Sequence, residues 1–439
     1  MKNYNSAYIT GISFISALGG YLFGFDFAVI SGALPFLQKQ FGLTAYWEGF
    51  ATGSLALGAI IGCLVAGNIA DKFGRKKGLL LAAALFFISS LCMAFSINKG
   101  IFISSRFLAG IGVGMASMLS PMYIAEIAPA EVRGRMVAIN QLTIVTGILI
   151  TNLVNYSLRN TGDDAWRWMF GLGIIPSGLF FIGALILPES PRWLVNNSRQ
   201  EEAMQTLRKI GNESFAQTTL LSIQSAIGGT MKQGYWAAFQ KAVLPAVLVG
   251  IGLAVFQQLC GINVVFNYTP RIFQSIGVSQ DDQLLQTVFI GVVNLSFTIL
   301  AMLLVDKLGR KPLMLIGSAG LCILYVIVVR MLAAGSTAVS WFLLSSIGVY
   351  AVSLAPVTWV LISEIFPNQV RSTATSVAVI SLWAAYFILV FTFPILFDWL
   401  GDKTFYIYSA ICFIGFLFVY FKVKETKGKT LEELEMVFH

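Results

Sequence analysis

Asp71-Lys72-Phe73-Gly74-Arg75-Lys76 recurs 235 residues later as Asp306-Lys307-Leu308-Gly309-Arg310-Lys311. A second pair keeps step with it. Glu126 stands seven residues before Arg133, Glu364 stands seven before Arg371, and the two glutamates are 238 residues apart. The chain is therefore two similar halves in tandem, each carrying its charges at the same places between apolar segments. A doubled, apolar, charge-poor polypeptide is the pattern of a transporter assembled from repeats around a central site.

Of the 439 residues, 57% are hydrophobic and only 11% charged, with a mean hydropathy of +0.78; a soluble domain carries about 25% charge. Apolar runs of about 20 residues are long enough to cross a hydrocarbon layer of roughly 30 Å as a helix. Twelve occur: 8–34, 49–70, 77–97, 101–126, 134–156 and 168–187, then 240–270, 284–306, 311–333, 339–365, 371–398 and 404–422. The first is too long for a cleaved leader, and Asp26 interrupts it. The expected fold is an all-α integral membrane protein with twelve transmembrane helices. The expected division is a six-helix bundle over 1–187, a polar connection with short helices over 188–239, and a second bundle with a short tail over 240–439.

The net charge of +8 does not indicate nucleic acid, because of how it is distributed. With the amino terminus in the cytoplasm, segments on that side hold 21 of the 29 Lys and Arg and the opposite face holds seven. That bias puts both termini in the cytoplasm. The five cysteines are scattered through apolar spans, and the single histidine is the last residue, His439. Neither a disulfide framework, a metal site nor a resident cofactor is expected. With no nucleophile and base pair, an enzyme is not expected either.

In the connection, residues 201–211 read as a short helix with Ala203, Leu207 and Ile210 on one face, and a second helix is predicted over 218–227. Thr430-Leu431-Glu432-Glu433 is a capping box that predicts a last turn in the tail. The Gly-Arg-Lys runs lack the Gly-x-x-x-x-Gly-Lys spacing of a phosphate loop and follow membrane helices rather than strands. Asp26 and Arg106 are the ionisable residues placed well inside spans. Each is costly to bury alone, so each is the other's expected partner.

Taken in order, a set of motifs resembles the sugar porter family of the major facilitator superfamily, closest to bacterial xylose– or glucose–proton symporters. In the first half these are Gly24-Phe25-Asp26, Ser31-Gly32, Gly67 to Arg75, Arg106, Pro121 to Glu126, Arg133-Gly134 and Pro188 to Arg192. The second half adds Gln257-Gln258-Leu259, Gly261-Ile262-Asn263, Trp359 and Ser363-Glu364-Ile365-Phe366-Pro367. The resemblance covers essentially the whole chain. It implies two pseudo-symmetric six-helix bundles, an alternating-access cycle, and a monosaccharide held in mid-membrane.

The resemblance also implies roles. Asp71, Arg75, Glu126, Arg133, Arg135, Glu189 and Arg192, with Asp306, Arg310, Glu364 and Arg371 in the second half, are expected to form ion pairs that gate the cytoplasmic side; the alternative is that they are topology signals wetted by cytosol. Asp26 is expected to take the proton and Arg106 to tune it, burial favouring the neutral acid and the guanidinium favouring the carboxylate; the alternative is a static buried pair. Gln141, Gln257, Gln258, Asn263, Asn294 and Trp359 match sugar-contacting positions, and amides offer both donors and an acceptor to hydroxyls; the alternative for a buried amide is a link between helices. The chain departs from the family at Leu382, where an amide is common, at Ile148, Asn267 and Cys260, and in Lys424-Glu425-Thr426 where Pro-Glu-Thr is usual. The expected protein is a bacterial inner-membrane, proton-coupled monosaccharide symporter that functions as a monomer, with a proton-independent uniporter or a non-transporting sugar sensor as alternatives.

Overall fold

The computed structural model describes residues 4–227, 240, 243–366 and 370–427. The Asp306 and Arg371 side chains and the expected turn at 430–433 lie outside the described residues. Among the described residues regular structure is helical, apart from one isolated β-bridge between Tyr4 and Gly211. Eleven apolar stretches are long enough to cross a membrane. The last of them, Thr373–Lys422, holds two helices, Arg371–Leu400 and Thr404–Lys422, joined by a short 3-10 turn at Gly401–Lys403. Twelve spans result.

The spans run past the ends of their apolar runs. Span 1 is Ser6–Phe41 and span 2 is Ala45–Phe73, against 8–34 and 49–70 expected. Gln38 and Lys39 are good helix formers, so the helix does not stop where hydropathy falls. One consequence is that Glu48 lies inside span 2, 1% exposed.

Three spans are broken. Span 6 is Ala165–Gly171 and Ile174–Ile186; span 7 is Leu244–Leu259 and Ile262–Gln274; span 10 is Val339–Val352 and Leu354–Ile365. At the span 7 break Gly261 has φ +89°, in the left-handed region, and a Cβ there would meet the Tyr408 ring at 2.6 Å. Only glycine satisfies both the backbone and the space.

In the polar connection, Gln200–Ile210 buries Ala203, Leu207 and Ile210 on one face, as its spacing predicts. The next helix, Glu213–Ile227, begins earlier than expected because Asn212 Oδ1 accepts from Phe215 N at 2.9 Å and caps it.

By contacts the described chain falls into two compact units that do not follow the repeat: 4–26, 58–148 and 170–227 form one, and 27–57, 149–169 and 243–427 form the other. In the first unit, spans 2 and 4 (Lys99–Ile127) touch backbone to backbone. A Cβ on Gly58, Gly62 or Gly114 would lie 2.0, 2.2 and 2.2 Å from the carbonyl oxygens of Phe107, Ile111 and Ala59. Lipid supplies no hydrophobic force between helices, so this close packing is what holds them together. Gly114→Val should therefore lower stability by about 1–3 kcal/mol or more, the cost of overpacking. Gly67→Ala, with open space around it, should leave stability unchanged or slightly higher; thermal unfolding of the purified proteins in detergent compares the two.

Candidate functional site

The turn after span 2 and the turn after span 8 (Gln280–Leu308) are built alike. Gly74 and Gly309 take φ +98° and +91°, and span 3 (Arg75–Ala94) and span 9 (Arg310–Ala333) begin immediately after them. Neither glycine has a side chain to cap the helix, so a distant glutamate supplies the acceptor. Glu189 Oε1 accepts from Arg75 N at 2.9 Å and also from Lys76 N. Glu425 accepts from Arg310 N and Lys311 N, both at 3.0 Å. A carboxylate at a helix N-terminus also meets the positive end of the helix dipole.

The signature arginines close the arrangement. In the first unit Arg75 donates to Glu126 Oε1 through Nε at 3.2 Å and Nη2 at 3.0 Å, and through Nη1 to the Ala70 carbonyl at 3.0 Å. Asp71 stands 3.6 Å from Nη1. Ser190 Oγ donates to the other Glu126 oxygen, and Trp193 Nε1 donates to the Asp71 carbonyl at 2.9 Å. In the second unit Arg310 Nη2 donates to Glu364 Oε1 at 3.1 Å. Both ion pairs are interhelical and lie inside one unit each. Arg133, Arg135 and Arg192 make no ion pair among the described residues.

The matched carboxylates differ in environment. Burial pushes the Glu189 carboxyl above the ordinary range, against the pull of the Ser190, Lys76 and Arg75 backbone N–H groups. Burial also raises Glu425, but less; donors from Lys427, Arg310, Lys311 and Thr426 outweigh it and hold the group below the ordinary range.

Asp26 and Arg106 are brought together in the first unit, each 1% exposed. Arg106 Nη1 donates to the Asp26 backbone carbonyl at 2.9 Å and stands 4.0 Å from Asp26 Oδ1, while the guanidinium lies 5.7 Å from the Phe170 ring centre. Asp26 Oδ1 has no hydrogen bond among the described residues.

The amides of span 7 form a relay in the second unit. Asn263 Nδ2 donates to Gln258 Oε1 at 2.5 Å, and Gln258 Nε2 donates to Gln257 Oε1 at 3.2 Å. Gln257 Nε2 donates to the Leu354 and Ala355 carbonyls, just past the span 10 break, at 3.3 and 3.2 Å. Asn294 is buried on span 8, and Trp359 is 43% exposed on the second half of span 10. Gln141, on span 5 (Ala130–Leu158), belongs to the first unit and is exposed. Leu382 and Trp383 are buried on span 11, and Ile148 on span 5.

Sequence reasoning missed two partnerships here. Glu425 was visible only as a departure in a terminal motif, although it follows Glu189 by 236 residues, in step with the repeat. Asn267, where the resemblance has tyrosine, exchanges hydrogen bonds with Tyr386 at 3.1 and 3.3 Å and donates to the Asn263 carbonyl at 2.7 Å; no spacing rule links residues 119 apart.

Twelve spans, doubled charged turns and a buried amide relay define a multi-pass membrane transporter of the major facilitator fold rather than an enzyme. A family model described as sugar (and other) transporter matches residues 12–438, and the chain belongs to that family. It is 39% identical to the D-xylose-proton symporter of Escherichia coli K12, over 99% of this chain and 96% of that one. It is also 39% identical to the glucose transport protein of Synechocystis, over 98% and 97%. The inward open conformation of the xylose transporter XylE from E. coli superposes with a TM-score of 0.88 at 37% identity, covering 98% of this chain and all of that one.

Glu425→Gln should cost about 1 kcal/mol at neutral pH, the usual worth of an N-terminal cap. Because folding lowers its proton affinity, the contribution of Glu425 is present above the ordinary glutamate value of 4.5 and is lost as pH falls through the lower folded value. The difference in melting temperature between wild type and variant should therefore be clear at neutral pH and shrink in acid.

Proposed function

We propose that this protein imports a monosaccharide, hexose or pentose, together with a proton by alternating access, from a bacterial inner membrane with both termini in the cytoplasm. The observation that carries the reading is the buried Asp26, whose Oδ1 is left without a hydrogen bond beside Arg106. A carboxyl held in this way can take up and release a proton as its distance from the guanidinium changes. The relatives named above support a sugar as the cargo. They stand at equal identity while their names specify xylose in one case and glucose in the other, so the choice of sugar rests on the residues of the site.

The span 7 relay is suited to hydroxyls. Within it Gln258 and Asn263 each keep an N–H, and Asn263 its carbonyl oxygen, without a partner among the described residues. Gln141, Asn294 and Trp359 are proposed as further contacts on their matches alone, and Leu382 as an apolar wall that narrows the choice of sugar. The ion pairs of Arg75 with Glu126 and of Arg310 with Glu364 are proposed as gates, with Asp71, Arg133, Arg135, Glu189, Arg192, Asp306 and Arg371 around them. Separating partly buried pairs leaves costly unpaired charge, enough to bias a two-state equilibrium by a few kcal/mol.

Asp26→Asn should abolish accumulation of sugar above its outside concentration while leaving sugar exchange intact; radiolabelled uptake and counterflow in membrane vesicles separate the two. Accumulation by the variant at the wild-type rate would remove Asp26 from the proton path, and wild-type sugar uptake without alkalinisation of the medium would favour a uniporter. Gln258→Ala and Asn263→Ala should each weaken sugar binding by about 1–3 kcal/mol, the cost of leaving a buried partner unsatisfied. Calorimetry in detergent measures it, and unchanged affinity in both would reduce the relay to packing.

A further inference from the structure

The second unit carries a charge network at the ends of its spans remote from the Gly309 turn. Arg271, in the last turn of the second half of span 7, forms ion pairs with Glu48 of span 2 and with Asp398 of span 11. Gln38 of span 1 donates through Nε2 to Glu48 Oε2 at 2.8 Å. Four spans are thus tied through one guanidinium and one carboxylate. Glu48 is 1% exposed, and its other oxygen, Oε1, has no hydrogen bond among the described residues. A wholly buried carboxylate is costly unless its partner stays in place.

Two cavities meet at this network. One, of about 750 Å³, is open to the surface and bordered by Asp398 and Asp402. The other is about 10 Å³, at the threshold for one water molecule, and reaches down to Ser31 and Asn267. Gln38, Glu48, Arg271 and Gln274 line both, so they form the partition between them. Below the partition Asn267 hydrogen-bonds to Asn263, the end of the amide relay. Asn263 and Asn267 follow at a four-residue interval, and Arg271 comes next in the chain past a kink at Tyr268.

We propose that the Gln38–Glu48–Arg271–Asp398 network is a charged latch that closes the path between the open outer cavity and the amide relay, and that transport requires it to break and re-form. Neutralising it shifts the protein toward conformations in which Ser31 and the face below become reachable from outside. The proposal rests on the transporter reading above, through the assignment of this end to the outer face.

The test is accessibility. Ser31→Cys is introduced into the full-length chain, and its reaction with a membrane-impermeant maleimide is followed in right-side-out vesicles, with the labelling of the parent chain's own cysteines subtracted. Arg271→Gln in that background is expected to raise the labelling rate between about 5-fold and 150-fold, the range of a typical coupling energy. Arg271→Gln strands the Glu48 carboxylate and can impair folding, so Glu48→Gln combined with Arg271→Gln is measured too. It removes both charges together and is expected to give a similar rise, while Arg271→Lys, which keeps the charge, stays near the parent rate. Labelling at the parent rate in both neutralised variants overturns the latch. The readout needs no substrate, so it holds whatever the cargo is. Protection of the introduced thiol by added xylose or glucose then tests the sugar reading separately.

Discussion

The structure depends on one constraint: in hydrocarbon, each backbone N–H and C=O needs a partner from the chain itself. A continuous helix meets it automatically, whereas a broken one needs side chains. The breaks of spans 7 and 10 are where the polar side chains gather. Gln257 reaches the Leu354 and Ala355 carbonyls, and Asn267 reaches the Asn263 carbonyl. Elsewhere Arg106 donates to the Asp26 carbonyl, Arg75 to that of Ala70, and Tyr268 to that of Val390. Gln257, which joins the span 7 break to the span 10 break, also belongs to the relay proposed to hold cargo, because both tasks need polar groups deep in an apolar surround.

The doubled turns show the same constraint at the helix ends. Glu189 and Glu425, Arg75 and Arg310, Glu126 and Glu364 occupy equivalent places, and Lys76 and Lys311 even donate to matching carbonyls, of Leu185 and Tyr420. Yet the first carboxylate is shifted up and the second down. The two differ in cover. The helix Pro191–Asn196 follows Glu189, and its Trp193 packs back onto the turn, while Glu425 lies past the end of the last helix, with no regular structure around it. One repeated device thus carries two electrostatic settings, through deeper burial of Glu189 and a larger set of backbone donors at Glu425.

Much of this was legible from residue order. Apolar runs of membrane length and the displaced copies of one charged phrase are local properties, so they located the spans, the turns and the Arg75 and Arg310 positions. The Asp26–Arg106 pairing followed from cost, since two lone charges in apolar spans have few other partners. Span ends were less legible, because hydropathy falls before helical hydrogen bonding stops; Glu48 and Arg271 each fall one position outside the apolar runs 49–70 and 240–270. Glu425 was hidden by the loss of a proline from its motif, even though its distance from Glu189 matched the repeat.

By itself the sequence determined the membrane class, the number of spans, the tandem halves and the residues able to carry charge or bond hydroxyls, because each follows from composition, from apolar runs of about 20 residues, or from the recurrence of one charged phrase. The tertiary structure decided which of those residues meet. Asn267 with Tyr386, Arg271 between Glu48 and Asp398, and Glu425 under Gly309 are contacts between segments distant in the chain. Such contacts depend on how distant segments pack, and that packing depends on the shapes of both faces at once, which no single segment contains.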